Sequence, residues 1–91
     1  MTDAEELRAA NALIRAMKDV VVSRVSTVFD RAWCAQHCRI DIKGEAATPL
    51  DALDAWRELF LAQWFGLVLA APGETTDGAR KLRAQLLAVE P

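Results

Sequence analysis

The first 43 residues place apolar side chains at a helical period and contain neither Gly nor Pro. Thr2 and Glu5 form the Thr-x-x-Glu pattern of a capping box, which predicts a helix that begins at about residue 3. At 100° per residue, the apolar positions fall within about one third of the helix circumference. We therefore predict a long first helix over residues 3–37. Its apolar stripe comprises Leu7, Ala10, Ile14, Met17, Val21, Val25, Val28, Phe29 and Ala32.

Residues 20–29 leave two structures open. Their β-branched side chains suit a strand. No turn residue separates this run from the residues before it, and that continuity favours helix. Residues 39–43 then alternate polar and apolar side chains before Gly44, so a short extended piece there is also open.

Two shorter helices are predicted in the second half of the chain. Thr48 is a typical N-cap and Pro49 suits the first helical position, so the second helix spans about residues 49–71 and ends before Pro72-Gly73. The third, over about 78–90, carries Leu82, Leu86 and Val89 at spacings of four and three. The pattern predicts an all-α fold of three helices in one domain, residues 1–91.

The second half of the second helix is apolar all round. One stripe is expected to pack on the first helix, and the other face carries Leu61, Phe65, Val68 and Leu69. Such a helix must be covered on all sides. We predict that these four residues bind a protein partner or a second copy of the chain; alternatively, the third helix covers them through Leu82 and Leu86.

The predicted length of the first helix also points to self-association. At 1.5 Å per residue it measures about 50 Å, whereas a compact chain of this size is about 30 Å across. A helix that extends beyond its own globule is suited to a dimeric helical bundle. We therefore expect a homodimer.

Composition narrows the function classes. The 91 residues carry 11 Lys and Arg against 13 Asp and Glu, a net charge of −2, so no basic footprint for nucleic acid is present. The apolar stretch is too short to cross a bilayer, and no basic flank favours a membrane surface. The acidic start lacks the features of a secretion signal, and we expect a cytoplasmic protein whose two cysteines are reduced.

Asp30, Cys34, His37 and Cys38 are the residue types and spacings that suggest a zinc site. Four ligands on one straight helix cannot surround a tetrahedral ion, and the chain has no other Cys or His. We therefore predict no metal, no cofactor and no catalytic residue. Whether the chain is an enzyme stays open, with a non-enzymatic protein favoured.

Asp54, Arg57 and Glu58 resemble the second helix of the all-helical chorismate mutases, which are three-helix subunits that form intertwined dimers. The resemblance implies an enzyme with a charged pocket between helices. The first-helix spacing, the loop and the third helix depart from that family. The corresponding residues here are Arg8, Arg24, Lys43, Asp54, Arg57, Glu58 and Gln85.

A basic cluster, Arg80-Lys81-x-Arg83, begins the third helix and allows a second alternative, a DNA-binding regulator. The favoured function is a small non-enzymatic protein–protein interaction module: an adaptor, an assembly factor or a protein inhibitor. It would act through an apolar helical face.

Overall fold

The part of the chain that the structure describes folds into three α-helices, a π-helical segment and a three-stranded antiparallel sheet. The computed structural model describes residues 2–26, 31–69 and 76–89. The prediction of an all-α fold and a helical bundle is wrong, because a sheet occupies the middle of the chain. The elements are α1 (Asp3–Met17), β1 (Val20–Ser26), β2 (Arg31–His37), β3 (Lys43–Ala46), α2 (Pro49–Gln63), a π-helical segment (Trp64–Leu69) and α3 (Asp77–Ala88).

The predicted first helix over residues 3–37 ends at Met17 instead. Residues 20–26 and 31–37 form an antiparallel pair, with Val20 opposite His37 and Ser26 opposite Arg31. Val20, Val21 and Val22 lose side-chain freedom in a helix and pack well on a pleated surface. The partner strand supplies the backbone hydrogen bonds, so the strand alternative for residues 20–26 is correct. Residues 27–30, which include Val28, Phe29 and Asp30, lie outside the described residues.

The sheet has the order β1-β2-β3 and presents one face to the helices. Val22, Ala35 and Gly44 lie side by side across the three strands. Ala35 is buried, and Val20, Val22, Trp33 and Ala46 pack against the core. Because side chains alternate between the faces of a sheet, residues such as Val21, Lys43 and Glu45 point away from the helices, and these three are exposed.

The helix α2 begins where the sequence predicts. Thr48 accepts a hydrogen bond from the backbone N–H of Asp51 at 3.2 Å, and Pro49 occupies the first turn. The helix then carries Trp56, Phe60 and Trp64 on one face, four residues apart and fully buried. Their rings stack at centroid distances of 5.3 and 5.9 Å. This aromatic column forms the centre of the core.

Trp56 joins the aromatic column to the sheet. Its indole N–H donates to the carbonyl of Ile42 at 3.0 Å, just before β3. Its ring stacks on that of His37, at the end of β2, at 6.2 Å. Buried indole N–H groups usually find a hydrogen-bond partner, and this bond joins α2 to the residue that precedes β3.

The closest approach of α2 to the sheet is at Gly44. A Cβ added to Gly44 would lie 2.4 Å from the backbone nitrogen of Trp56 and 2.6 Å from the carbonyl oxygen of Ala52. No side chain fits in that space. The absence of a Cβ at Gly44 therefore sets the distance between helix and sheet.

The helix α3 closes the other side of the core. Thr76 caps it by accepting from the backbone N–H of Ala79 at 3.2 Å, and Leu86 and Val89 are buried. Gln85 exchanges two hydrogen bonds with Asp41: its Oε1 accepts from the backbone N–H at 2.9 Å, and its Nε2 donates to the carboxylate at 3.3 Å. These bonds hold α3 against the link between β2 and β3.

We expect Gly44→Ala to lower the free energy of unfolding by about 3 kcal/mol, because the new methyl group meets backbone rather than a side chain that could move. Urea unfolding followed by circular dichroism measures this change. Gly66→Ala is the matched control, since a Cβ there has no atom within 4 Å. That control is expected to be neutral or to stabilise by about 0.5–1 kcal/mol. A small change at Gly44 would contradict the packing described here.

Candidate protein-interaction surface

The helix α1 has two apolar faces, and the one with larger side chains points outward. Ala9, Ala12 and Ala16 are buried against the core. Leu7 and Ile14 are 62% and 63% exposed. At 100° per residue, Leu7, Ala10 and Ile14 fall on one side of the helix, roughly opposite the three alanines. We call these three residues the α1 stripe.

The outward position of the α1 stripe corrects the predicted use of this helix. The stripe was expected to face the second helix, yet only its continuation at Met17 packs against the core. The signal that would have found the buried face is the alanine spacing, Ala9, Ala12 and Ala16. Alanine is only weakly hydrophobic, so the larger apolar residues determined which face of the helix the periodicity predicted to be buried.

A groove lies beside the C-terminal half of the α1 stripe. It has a volume of about 650 Å³ and includes Ile14 in its wall. Three cations and one acid provide most of its polar character, and the acid, Asp19, is bound to Arg39 at 3.0 Å. The groove therefore combines one apolar lining residue, Ile14, with an excess of positive charge. Its lining residues are Asn11, Ile14, Arg15, Lys18, Asp19 and Arg39.

The opposite end of α1 is acidic. Asp3, Glu5 and Glu6 occupy its first turn, and Arg15 its last. Glu5 belongs to the capping box with Thr2, which is present as predicted. Asp3 and Glu6 are exposed. The charges complement the helix dipole, and they also divide the exposed surface of α1 into an acidic end and a basic end.

His37 contacts two lining residues of the groove, Asp19 and Arg39. Its Nδ1 accepts the backbone N–H of Arg39 at 3.0 Å, so the ring proton lies on Nε2. That nitrogen is buried, has no hydrogen-bond partner among the residues that the structure describes, and lies 3.9 Å from the carboxylate of Asp19. Burial lowers the pKa of His37, an effect that Asp19 opposes and Arg39 reinforces. The imidazole is therefore held neutral, with Nδ1 unavailable as a base.

Among the described residues considered as metal ligands, Cys34, His37 and Cys38 do not come together, and Asp30 lies outside the described residues. Cys34 and His37 lie three residues apart on β2 and so point to opposite faces of the sheet. Both cysteines are free, Cys34 buried and Cys38 exposed. Within the described residues, no three His, Cys, Asp or Glu side chains are grouped to hold an ion.

The predicted partner-binding residues Leu61, Phe65, Val68 and Leu69 are half-buried and pack against the core. The last three belong to the π-helical segment, and α3 lies beside it. Arg83 of α3 donates from Nε to the carbonyl of Leu67 at 3.0 Å. This contact agrees with the alternative in which the third helix covers this face, and a role of these four residues in binding a partner stays a prediction.

The residues of the chorismate mutase resemblance lie on different elements with different contacts. The resemblance implies an all-helical subunit, whereas Arg24 lies on β1 and Lys43 on β3. Arg8 stands over the ring of Trp64 at 5.7 Å, Asp54 pairs with Arg57 at 3.6 Å, Glu58 is exposed, and Gln85 binds Asp41.

The basic cluster at the start of α3 is engaged within the chain. Arg80 lies 3.9 Å from Asp77, and Lys81 lies 3.8 Å from Asp41. Arg83 is bonded to the π-helical segment as described above. The Arg80 pair lies within α3, whereas Lys81 and Arg83 join α3 to Asp41 and to the π-helical segment.

Comparison with known proteins found no matching family model, curated protein or solved structure. Among the described residues, no helix combines the length and the apolar character needed to cross a membrane.

We expect the stability of the fold to decrease as the pH falls below 6.5. The pKa of His37 is lowered in the folded chain, so the unfolded chain binds more protons between that pKa and 6.5. The contribution of the neutral imidazole to the free energy of unfolding is complete above pH 6.5. It is lost as the pH falls toward the pKa of His37 in the folded chain. Urea unfolding between pH 5 and 7.5 measures it. His37→Phe keeps a ring against Trp56 and removes the titrating group, so its pH dependence over this range is expected to be weaker.

His37 is the only histidine of the chain, so its titration is visible directly by NMR. A midpoint at or above 6.5 would contradict the neutral, buried imidazole described here.

Proposed function

We propose that this chain is a non-enzymatic protein–protein interaction module whose partner binds the α1 stripe. The carrying observation is that α1 buries alanines and exposes Leu7 and Ile14. Scattered apolar residues on a surface are ordinary, but large ones aligned along one face of a helix are typical of binding sites.

The surroundings of the stripe support a protein as its partner. The stripe is flanked by both acidic and basic side chains, and the whole chain carries a net charge of −2. A mixed-charge rim around an apolar centre is the usual composition of a protein interface. A nucleic acid or an anionic membrane would favour an excess of cations.

The same surface serves an adaptor, an assembly factor or an inhibitor, because all three bind a protein through an apolar helical face. The cytoplasm is part of this proposal. It is supported by the two free cysteines, since thiols stay reduced in that compartment.

A photo-crosslinking side chain placed at Ile14 tests the proposal in cells that express the protein. We expect defined adducts, either with a second copy or with another protein, in amounts well above those from position 50. Leu50 is the matched control because it is a large apolar residue, 75% exposed, on a different helix at the start of α2. Equal, diffuse labelling from both positions would overturn the proposed function.

A further inference from the structure

The α1 stripe and the groove beside it are complementary to each other. The stripe offers Leu7 near the acidic end of α1, and the groove offers Ile14 with Arg15 and Lys18 near the basic end. Building on the proposed function, we infer that the partner is a second copy of this chain and that the two α1 helices pack antiparallel in a two-fold symmetric dimer.

In an antiparallel arrangement, a single register pairs apolar residues with apolar residues and acidic residues with basic ones. With the two-fold axis between Ala10 and Asn11, Leu7 packs on the partner's Ile14, and Asp3 approaches the partner's Lys18. Each contact occurs twice, as an isologous interface requires. Leu7 and the acidic first turn then enter the groove of the other protomer.

The direction of packing follows from the charges. Antiparallel helices place the acidic end of one α1 against the basic end of the other, and their dipoles are also opposed favourably. A parallel pair would place Asp3 against its own copy and Lys18 against its own copy. Like charges at both ends disfavour that arrangement.

The size of the contact predicts a dimer that dissociates on dilution. Two 15-residue helices touch over about 22 Å, which is small for a protein interface. The molar mass should therefore change with concentration. It is expected to rise from near the 10.0 kDa of one chain toward about 20 kDa.

Light scattering of the full chain over a hundredfold range of concentration tests the surface. Ile14→Glu is expected to weaken dimerisation by at least about 100-fold, because it places a carboxylate in the apolar contact. Leu50→Glu is the control and should leave the dissociation constant unchanged. Circular dichroism and urea unfolding of each variant establish that it is folded.

Charge reversal tests whether the two α1 helices pack antiparallel. Lys18→Glu places a carboxylate opposite the partner's Asp3 at both symmetric positions, and the dissociation constant is expected to rise about tenfold at low salt. Adding Asp3→Lys to the same chain restores an attractive pair and should recover most of the affinity. High salt should reduce both effects.

The outcomes separate the inference from the proposed function. Loss of dimer in Ile14→Glu, with rescue of Lys18→Glu by Asp3→Lys, supports the antiparallel dimer. A dimer unaffected by Ile14→Glu, or lacking the charge rescue, overturns it. A monomer at every concentration overturns it too, while adducts from Ile14 to a different protein would leave the proposed function intact. A monomer without specific adducts overturns both.

Discussion

The contact between α2 and the sheet at Gly44 determines how close the helical layer can come to the strands. With no side chain at Gly44 and only methyl groups at Ala35 and Ala52, the backbone of the helix rests almost on the backbone of β3. Trp56 is then within reach of the Ile42 carbonyl and of His37. One hydrogen bond and one ring stack thus fix the helix in depth and in rotation.

The aromatic column decides what else can enter the core. Trp56, Phe60 and Trp64 fill the space above the sheet, and the side chains of α1 that are fully buried are alanines. Leu13 and Met17 pack against the core while only partly buried. Interiors are close-packed, and large residues on one element require small residues on its neighbour. Leu7 and Ile14, on the opposite side of α1 from the alanines, are exposed.

The contacts around His37 connect the core to the groove beside α1. Asp19 follows α1, and its carboxylate binds Arg39 and lies near the buried ring of His37. His37 also stacks on Trp56, so Asp19 and Arg39 of the groove are connected to the aromatic column through His37. The wall of the groove is α1 itself, through Ile14 and Lys18. The proposed interface therefore borders residues that contact the aromatic column through His37.

Local signals in the sequence determined the beginnings of α1 and α2, because a cap such as Thr2 or Thr48 acts on backbone groups two or three residues away. The sequence also identified Leu7, Ala10 and Ile14 as an apolar stripe. It could not decide that Val20–Ser26 is a strand, since the hydrogen bonds that favour the strand come from residues 31–37. Nor could it orient α1, because the choice between its alanine face and its stripe depends on the volume already occupied by Trp56, Phe60 and Trp64. Caps and periodicity are properties of neighbouring residues, whereas strand pairing and the facing of a helix are set by distant ones, and only the tertiary structure brings those together.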